Sequence, residues 1–374
     1  MGRLRDRRCR AAGHARVALD VCTSRCHAGA VSRRRAWHRK GHVEQDDSGN
    51  RQASGVRGTD GSGNQGATRV LSDPAANSAP RFACFGEILW DVLPRGIFMG
   101  GAPLNVAAHL ARLGCHAELI SRLGQDTRGR DAQSRIKHLG VGTRMLQQDL
   151  ALPTGEARAV LAPDGSASYE FETPAAWDAI EFDAAVRQAL PSAQALVFGS
   201  LAQRDRRSRE ALWQCLELTA YHVFDVNLRQ PYHDPDVVLA SLRVADFVKL
   251  NEEECVIVAR WLGTSAEPDA LRAAIDLLRD SRREHPLQLC ITLGGEGALL
   301  WAERQWHRQP AVQVAVVDTV GAGDSFLAML LAQRLRGVEP PLALERAAAL
   351  GGFVASRDGA VPDYDPRQVI PGLD

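Results

Sequence analysis

Asp318-Thr319-Val320-Gly321-Ala322-Gly323-Asp324-Ser325-Phe326 follows an apolar, β-branched run at 312–317 and opens into a helical pattern over 325–335, with Phe326, Met329, Leu330 and Leu335 on one side. A strand at 312–317 would deliver this glycine-rich turn to a helix N-terminus, where unpaired N–H groups and the positive end of the helix dipole point outward. Gly321 and Gly323 let the backbone approach a ligand that a Cβ would hold off. Such geometry binds anions, phosphate above all. Asp324 is out of place in a simple phosphate cradle, because its carboxylate repels the ligand. It suits a general base that takes a proton from a hydroxyl attacking a phosphoryl group. The plain alternative is that Asp324 caps the helix and the glycines only make a tight turn.

The chain has 374 residues, 45% of them hydrophobic, which suits one α/β domain with an appendage. No run approaches the roughly 18 to 20 apolar residues that span a bilayer, so the folded part is expected to be soluble, and the cysteine usage described next leads to a cytoplasmic expectation. The formal net charge of zero averages two unlike pieces. Residues 1–80 hold 15 Arg and Lys against 7 Asp and Glu, and the remainder holds 30 against 38. Cys84, Cys115, Cys215, Cys255 and Cys290 sit singly in apolar patterns and read as reduced core residues. Cys22, Cys26 and His27 lack a matching second pair, which argues against a zinc site.

Residues 1–80 show no sustained periodicity, only arginine clusters and then a stretch dense in Gly, Ser, Asn and Gln at 48–66. That composition cannot bury enough apolar surface to offset chain entropy. A disordered tail, a nucleic-acid-binding arm and translated sequence upstream of the true start compete, with a transit peptide weaker for want of an amphipathic arginine helix. A leader without a structural role is expected, and no function is placed there.

Order is expected over 81–370. Residues 82–90 form an apolar run broken by Gly86-Glu87 and ending on Asp91, and Gly100-Gly101-Ala102-Pro103-Leu104-Asn105 then starts a helix. A strand at 116–123 and a helix at 127–139 follow. Alternating segments at 156–161 and 166–171 around Pro163-Asp164-Gly165 signal a hairpin, read as a flap within about 154–172. Strands at 195–198, 222–226, 247–250 and 287–293 then alternate with helices at 206–219, 236–244, 252–261 and 270–279. A strand pair, 298–302 with 312–317, and two helices around Gly337 close the domain. Repeated strand–helix units mean a doubly wound, mostly parallel sheet with helices on both faces and ligands at the strands' carboxyl ends.

Polar residues punctuate those ends: Asp91, Asp225-Val226-Asn227-Leu228-Arg229, Asn251 to Glu254, Thr292 to Gly297, and the 318–324 turn. Isolated residues of this kind are mostly helix caps, but five groups on one rim are better explained by a site. The phosphate loop of P-loop enzymes is absent. With lysine only at 40, 137 and 249, phosphate is expected to meet backbone, metal and arginine.

Over about 82–362 the chain resembles the ribokinase-like (PfkB-type) carbohydrate kinases. Both family motifs are present, Gly100-Gly101-Ala102-Pro103-Leu104-Asn105 and the highly specific Asp318–Ser325 turn. The resemblance implies Asp324 as catalytic base and Gly321, Ala322 and Gly323 as anion hole. It implies Asp91, Gly100, Gly101 and Asn105 on the sugar hydroxyls, and Asn227 and Arg229 near the transferring phosphate. Asn251 and Glu254 match an Asn-x-x-Glu that organises Mg2+ through water, Thr292, Gly294 and Gly297 the nucleotide turn, and Asp318 a monovalent-cation site such as K+. ATP and a small-molecule sugar are the implied partners, with a β-sheet lid and a homodimer formed through it. The motif forms resemble fructokinases more than ribokinases, except that His233 stands where many fructokinases carry tryptophan.

The expected reaction is phosphoryl transfer from ATP to a sugar hydroxyl, which needs positioning and charge stabilisation more than covalent chemistry. Within the class, kinases of 2-keto-3-deoxygluconate, ribose or a nucleoside are the rivals. Outside it stand a silent sugar or nucleotide sensor, against which the intact Asp324 argues, and nucleic-acid binding through the leader.

Overall fold

The computed structural model describes residues 79–93, 96–161, 167–370 and 372–373. Residues 1–78 of the expected leader, the tip of the flap hairpin and the cysteines at 9, 22 and 26 lie outside them. The strands are β1 (Arg81–Phe85), β2 (Leu89–Leu93), β3 (Gly96–Gly100), β4 (His116–Gly124), β5 (Leu146–Asp149), β6 (Gly155–Leu161), β7 (Ala167–Phe171), β8 (Ala195–Gly199), β9 (Tyr221–Asp225), β10 (Phe247–Asn251), β11 (Gln288–Thr292), β12 (Ala298–Ala302) and β13 (Gln305–Gln309). The helices are α1 (Ala102–Arg112), α2 (Thr127–His138), α3 (Ala184–Ala189), α4 (Arg206–Leu216), α5 (Pro235–Val244), α6 (Glu252–Trp261), α7 (Pro268–Leu278), α8 (Ala322–Leu335), α9 (Pro340–Ala355) and α10 (Pro366–Val369).

Among the described residues, nine strands form the main sheet in the order β13-β12-β11-β10-β9-β8-β1-β4-β5. All neighbours from β11 to β5 are parallel, and β12 and β13 are antiparallel. From β1 the chain first builds outward through β4 and β5, then returns to the other side of β1 with β8. The strand order therefore reverses beside β1, the position at which sheets of this kind offer a ligand crevice at their carboxyl ends.

The core follows from the two-residue period of a strand. Phe82 and Cys84 of β1 face one apolar cluster, with Leu104 and Leu110 of α1, Ile136 of α2 and the apolar residues of α8 and α9. Ala83 and Phe85 face the other, with Leu212 of α4, Leu242 of α5, Val258 of α6 and Ile275 of α7. Helix α8 was expected to bury one side only, yet every residue from Ser325 to Arg334 is buried. It packs against α1 and α9 and shares an apolar cluster with Val223, Phe247 and Leu300 of the sheet.

A second sheet of four strands, β3-β2-β6-β7, forms the lid. The flap hairpin is present as the antiparallel pair β6 and β7, running from Ala157 opposite Phe171 to Leu161 opposite Ala167. β2 and β3 join it, so Asp91 lies inside a lid strand and does not follow a strand of the main sheet.

One strand expectation is overturned. Residues 312–317 form no strand, and β12 pairs instead with β13 through Glu303 and Arg304. Both turn residues have positive φ, 53° and 64°, the backbone of a two-residue hairpin that matches strand twist. Pro310 then follows β13 and lacks the N–H a ladder needs. The β-branched run beyond it is left outside the sheet, with Val316 64% and Val317 63% exposed.

Candidate active site

Because no strand leads into it, the glycine turn is fastened from elsewhere. The N–H groups of Val317 and Asp318 both donate to Ala355 O, at the end of α9, at 2.8 and 3.2 Å. Asp318 Oδ1 accepts from Val320 N at 3.0 Å. Gly321 is the N-cap residue of α8, in the left-handed conformation with φ 76°. A Cβ there would lie 2.5 Å from Ala360 O, so glycine is required by conformation and by space. The first turn of α8 then presents the N–H groups of Gly323 and Asp324 without helical acceptors.

The capping reading of Asp324 fails on geometry, since the cap is Gly321 and Asp324 sits inside the first turn. Its Oδ2 accepts from Asn105 Nδ2 of α1 at 2.9 Å. Burial pushes this carboxyl above its usual range and Asp225 adds to the push, while Lys249, the Asn105 hydrogen bond and Arg229 pull it back.

Lys249 is a candidate site residue that sequence reasoning passed over when phosphate binding was assigned to backbone, metal and arginine. It is the Cα partner of Asp225 across β9 and β10. Strand periodicity turns both charges toward α8. Lys249 Nζ donates to Asp225 Oδ1 at 2.9 Å, with both side chains buried. Nζ lies 3.5 Å from where a Gly323 Cβ would stand, so the ammonium sits directly under the anion turn. Burial alone would lower its pKa; Asp225, Glu254 and Asp324 outweigh that and hold it above the ordinary value. The signal was a lysine at a core-facing position of an otherwise apolar strand.

On the acceptor side, Asp91, Gly100 and Gly101 come together. A Cβ on Gly100 would stand 2.4 Å from Asp91 Oδ2, so the carboxylate reaches over that glycine. Gly101 has φ 117°, and its Cβ would meet Glu87 O at 2.4 Å. Glu87, also passed over, is buried, and its Oε1 accepts from Ala102 N at 3.2 Å, anchoring the start of α1. Burial pushes Glu87 up to about 7 and Asp91 up to about 6, against the lowering influence of Arg229. Asn105 faces Asp324. Arg229 is exposed beyond β9, and Asn227 has φ 39° with its carbonyl accepting from Ser200 Oγ at 3.3 Å.

On the nucleotide side a cleft of about 650 Å³ is lined by Asn251, Thr292, Gly294, Gly297, Val312 and Phe326. Gly294 and Gly297 have positive φ, 54° and 105°. Asn251 and Glu254 form a reciprocal capping box at the start of α6. Glu254 Oε2 accepts from Asn251 N at 2.9 Å and Oε1 from Leu228 N at 2.8 Å. Among the described residues no cluster of three or more His, Cys, Asp or Glu is arranged to hold a metal ion.

A buried carboxylate in the first turn of a helix, held by Asn105 and beside a glycine-lined cleft, suits a phosphotransferase with an alcohol acceptor. Residues 93–366 match the pfkB family of carbohydrate kinases, and the chain belongs to that family. It is a sugar kinase. The fructokinase of Klebsiella pneumoniae is 30% identical over 298 residues, spanning 74% of this chain and 93% of its own. The aminoimidazole riboside kinase of Salmonella typhimurium is 33% identical over 248 residues, spanning 62% and 72%. Among solved structures, the fructokinase of Xylella fastidiosa with bound ATP superposes with a TM-score of 0.67 at 25% identity, covering 78% of this chain and 94% of that one. The ribokinase-like reading of fold and family is thereby borne out.

Proposed function

We propose that the chain phosphorylates a free sugar, fructose first, at the expense of ATP, with Asp324 as general base. The observation that carries this reading is the 2.9 Å bond from Asn105 to Asp324, which fixes the carboxylate at the α8 N-terminus between acceptor pocket and nucleotide cleft. Asp91 accepts hydrogen bonds from sugar hydroxyls over Gly100. A sugar oxygen attacks the γ-phosphorus, its proton passes to Asp324, and the bond to the departing ADP oxygen breaks. The N–H groups of Gly323 and Asp324, with Gly321 setting the turn and Ala322 opening the helix with its own N–H on Thr319 O, meet the charge on the transferring group, and Lys249 beneath them and Arg229 beside them offset the rest.

The donor set fits magnesium held mainly by phosphates and water, which is how that ion prefers to bind. Glu254 commits an oxygen to each of two backbone N–H groups and keeps lone pairs for ordered water. When bound, the ion supplies charge neutralisation on the donor phosphates. Asn251, Thr292, Gly294 and Gly297 hold the nucleotide, Asn227 the phosphate end, and Asp318 a monovalent cation such as K+. The five cysteines among the described residues are free and buried, which supports a cytoplasmic setting, and a homodimer through the lid is the assembly proposed.

The test is an ADP-release screen over fructose, ribose, 2-keto-3-deoxygluconate and aminoimidazole riboside, with and without magnesium. Fructose is expected to give the highest kcat/KM. The Salmonella relative favours aminoimidazole riboside as the second reading, and turnover of that compound alone would replace the first. ADP release with none of them would remove both.

A further inference from the structure

Helix α1 carries three polar residues, Asn105, His109 and Arg112, spaced to share one face. Asn105 fastens the start of α8, and the other two fasten the segment 360–364. Asn105 holds Asp324. His109 lies at bonding distance from Ala360 O through Nε2, 3.0 Å, and from the Tyr364 hydroxyl through Nδ1, 2.8 Å. Arg112 donates to Asp363 Oδ1 and Tyr364 O, and its guanidinium lies 4.9 Å from the Tyr364 ring centroid.

The chemistry of the pair sets the tautomer. Ala360 O can only accept, so Nε2 carries the proton and donates, and Nδ1 accepts from the tyrosine. His109 is fully buried, and burial pushes it down to about 4, which keeps the ring neutral near pH 7. Both nitrogens therefore make directed bonds, where a leucine would have packed the same space without direction.

Where those bonds lead is the decisive point. Ala360 is the residue on which Gly321 rests: a Cβ on Gly321 would fall 2.5 Å from Ala360 O and 2.6 Å from its Cα. Two residues at the other end of the turn hang from Ala355 O. The segment 355–364 is thus the bearing surface of a turn that no strand supports.

We infer that His109 is a positioning residue for phosphoryl transfer. It sets the Ala360 carbonyl, and through it the seat of Gly321 and the height of the free N–H groups that follow relative to the Asp324 carboxylate, which Asn105 holds from the same helix face. One rigid helix thereby gauges both halves of the catalytic turn. The inference rests on the reading of that turn as the transfer site. A merely structural histidine would be replaceable by any residue that keeps the fold.

The test compares His109→Gln with His109→Asn in the full chain, assayed with fructose, ATP and magnesium, with Asp324→Asn as control. The Gln amide reaches as far as Nε2, whereas the Asn amide stops at the position of Nδ1. His109→Asn is expected to lower kcat about tenfold or more, with KM for both substrates within about twofold, since sub-ångström misplacement is felt directly in the chemical step. His109→Gln is expected to recover to within about threefold of the unmodified chain. Equal kcat for the two variants, or a loss carried entirely by KM, overturns the inference. If Asp324→Asn keeps full kcat, the underlying site reading fails instead, and this inference with it. Should neither histidine variant fold, Tyr364→Phe removes only the hydroxyl that orients the ring. A lower kcat at unchanged KM then supports the inference, and unchanged kcat overturns it.

Discussion

Replacing Asp324 with Asn separates chemistry from architecture. The amide is isosteric, and its oxygen can still accept from Asn105 Nδ2, which now reaches the carboxylate at 2.9 Å. Three changes act on stability. A charge-assisted hydrogen bond becomes neutral, at a cost of about 1 kcal/mol. A negative charge leaves the first turn of α8, costing about 0.3 to 1 kcal/mol. Against both, a carboxylate whose pKa is raised by burial and by Asp225 no longer has to ionise in the folded state. The terms oppose one another, so the net change should stay within about 2 kcal/mol, or a few degrees in Tm for a domain of this size. The kinetic change should be far larger. Loss of the base is expected to lower kcat by about 10²- to 10⁴-fold, or about 2.7 to 5.5 kcal/mol of barrier. ATP affinity should hold or tighten, because a negative charge beside the phosphates has gone. Coupled ADP release, nucleotide titration and thermal melting on one preparation read all three quantities. A folded variant with unchanged kcat would falsify the base assignment.

Gly321→Ala should lower kcat by about 100-fold and Tm by several degrees, because it forces a Cβ onto Ala360 and a strained φ; unchanged kinetics would show that the turn tolerates displacement. Lys249→Met leaves Asp225 buried and unpaired, with an expected cost of about 3 to 5 kcal/mol in urea unfolding. Adding Asp225→Asn should restore much of that loss, and strict additivity of the two would refute the pairing. Burial raises Glu87 from 4.5 to about 7, so the folded state binds its proton more tightly than the unfolded chain does. Its contribution is full below about pH 4.5 and is lost as pH rises through 7, by about 3 kcal/mol. Glu87→Gln should flatten the unfolding free energy across that window, and an unaltered pH slope would count against the assignment. Removing residues 1–78 should leave Tm and kcat as they were, a prediction drawn from their composition; a large fall in either would overturn it.

Two glycine motifs and an alternation of apolar runs were enough to read the architecture and to nominate the candidate site. Those signals are local: a glycine at positive φ, a proline in a first helical turn and a two-residue period each act over a few bonds. Gly321 and Gly101 take the positive φ that a glycine turn uses, and Asn251 and Glu254 close a capping box within four residues, whatever lies around them. Residues 312–317 mark where that logic ended. Their β-branched composition favours a strand, but the partner had already been taken by β13 through a hairpin at Glu303 and Arg304 that carries no glycine. The Lys249–Asp225 pair, the reach of Asp91 over Gly100 and the seat of Gly321 on Ala360 depend on register and packing between segments far apart in the chain. His109 read alone is one more polar residue in an apolar helix. Only the folded chain brings Ala360 and Tyr364 to its two nitrogens, because those contacts span about 250 residues and follow from how α1, α8 and the closing segment pack together.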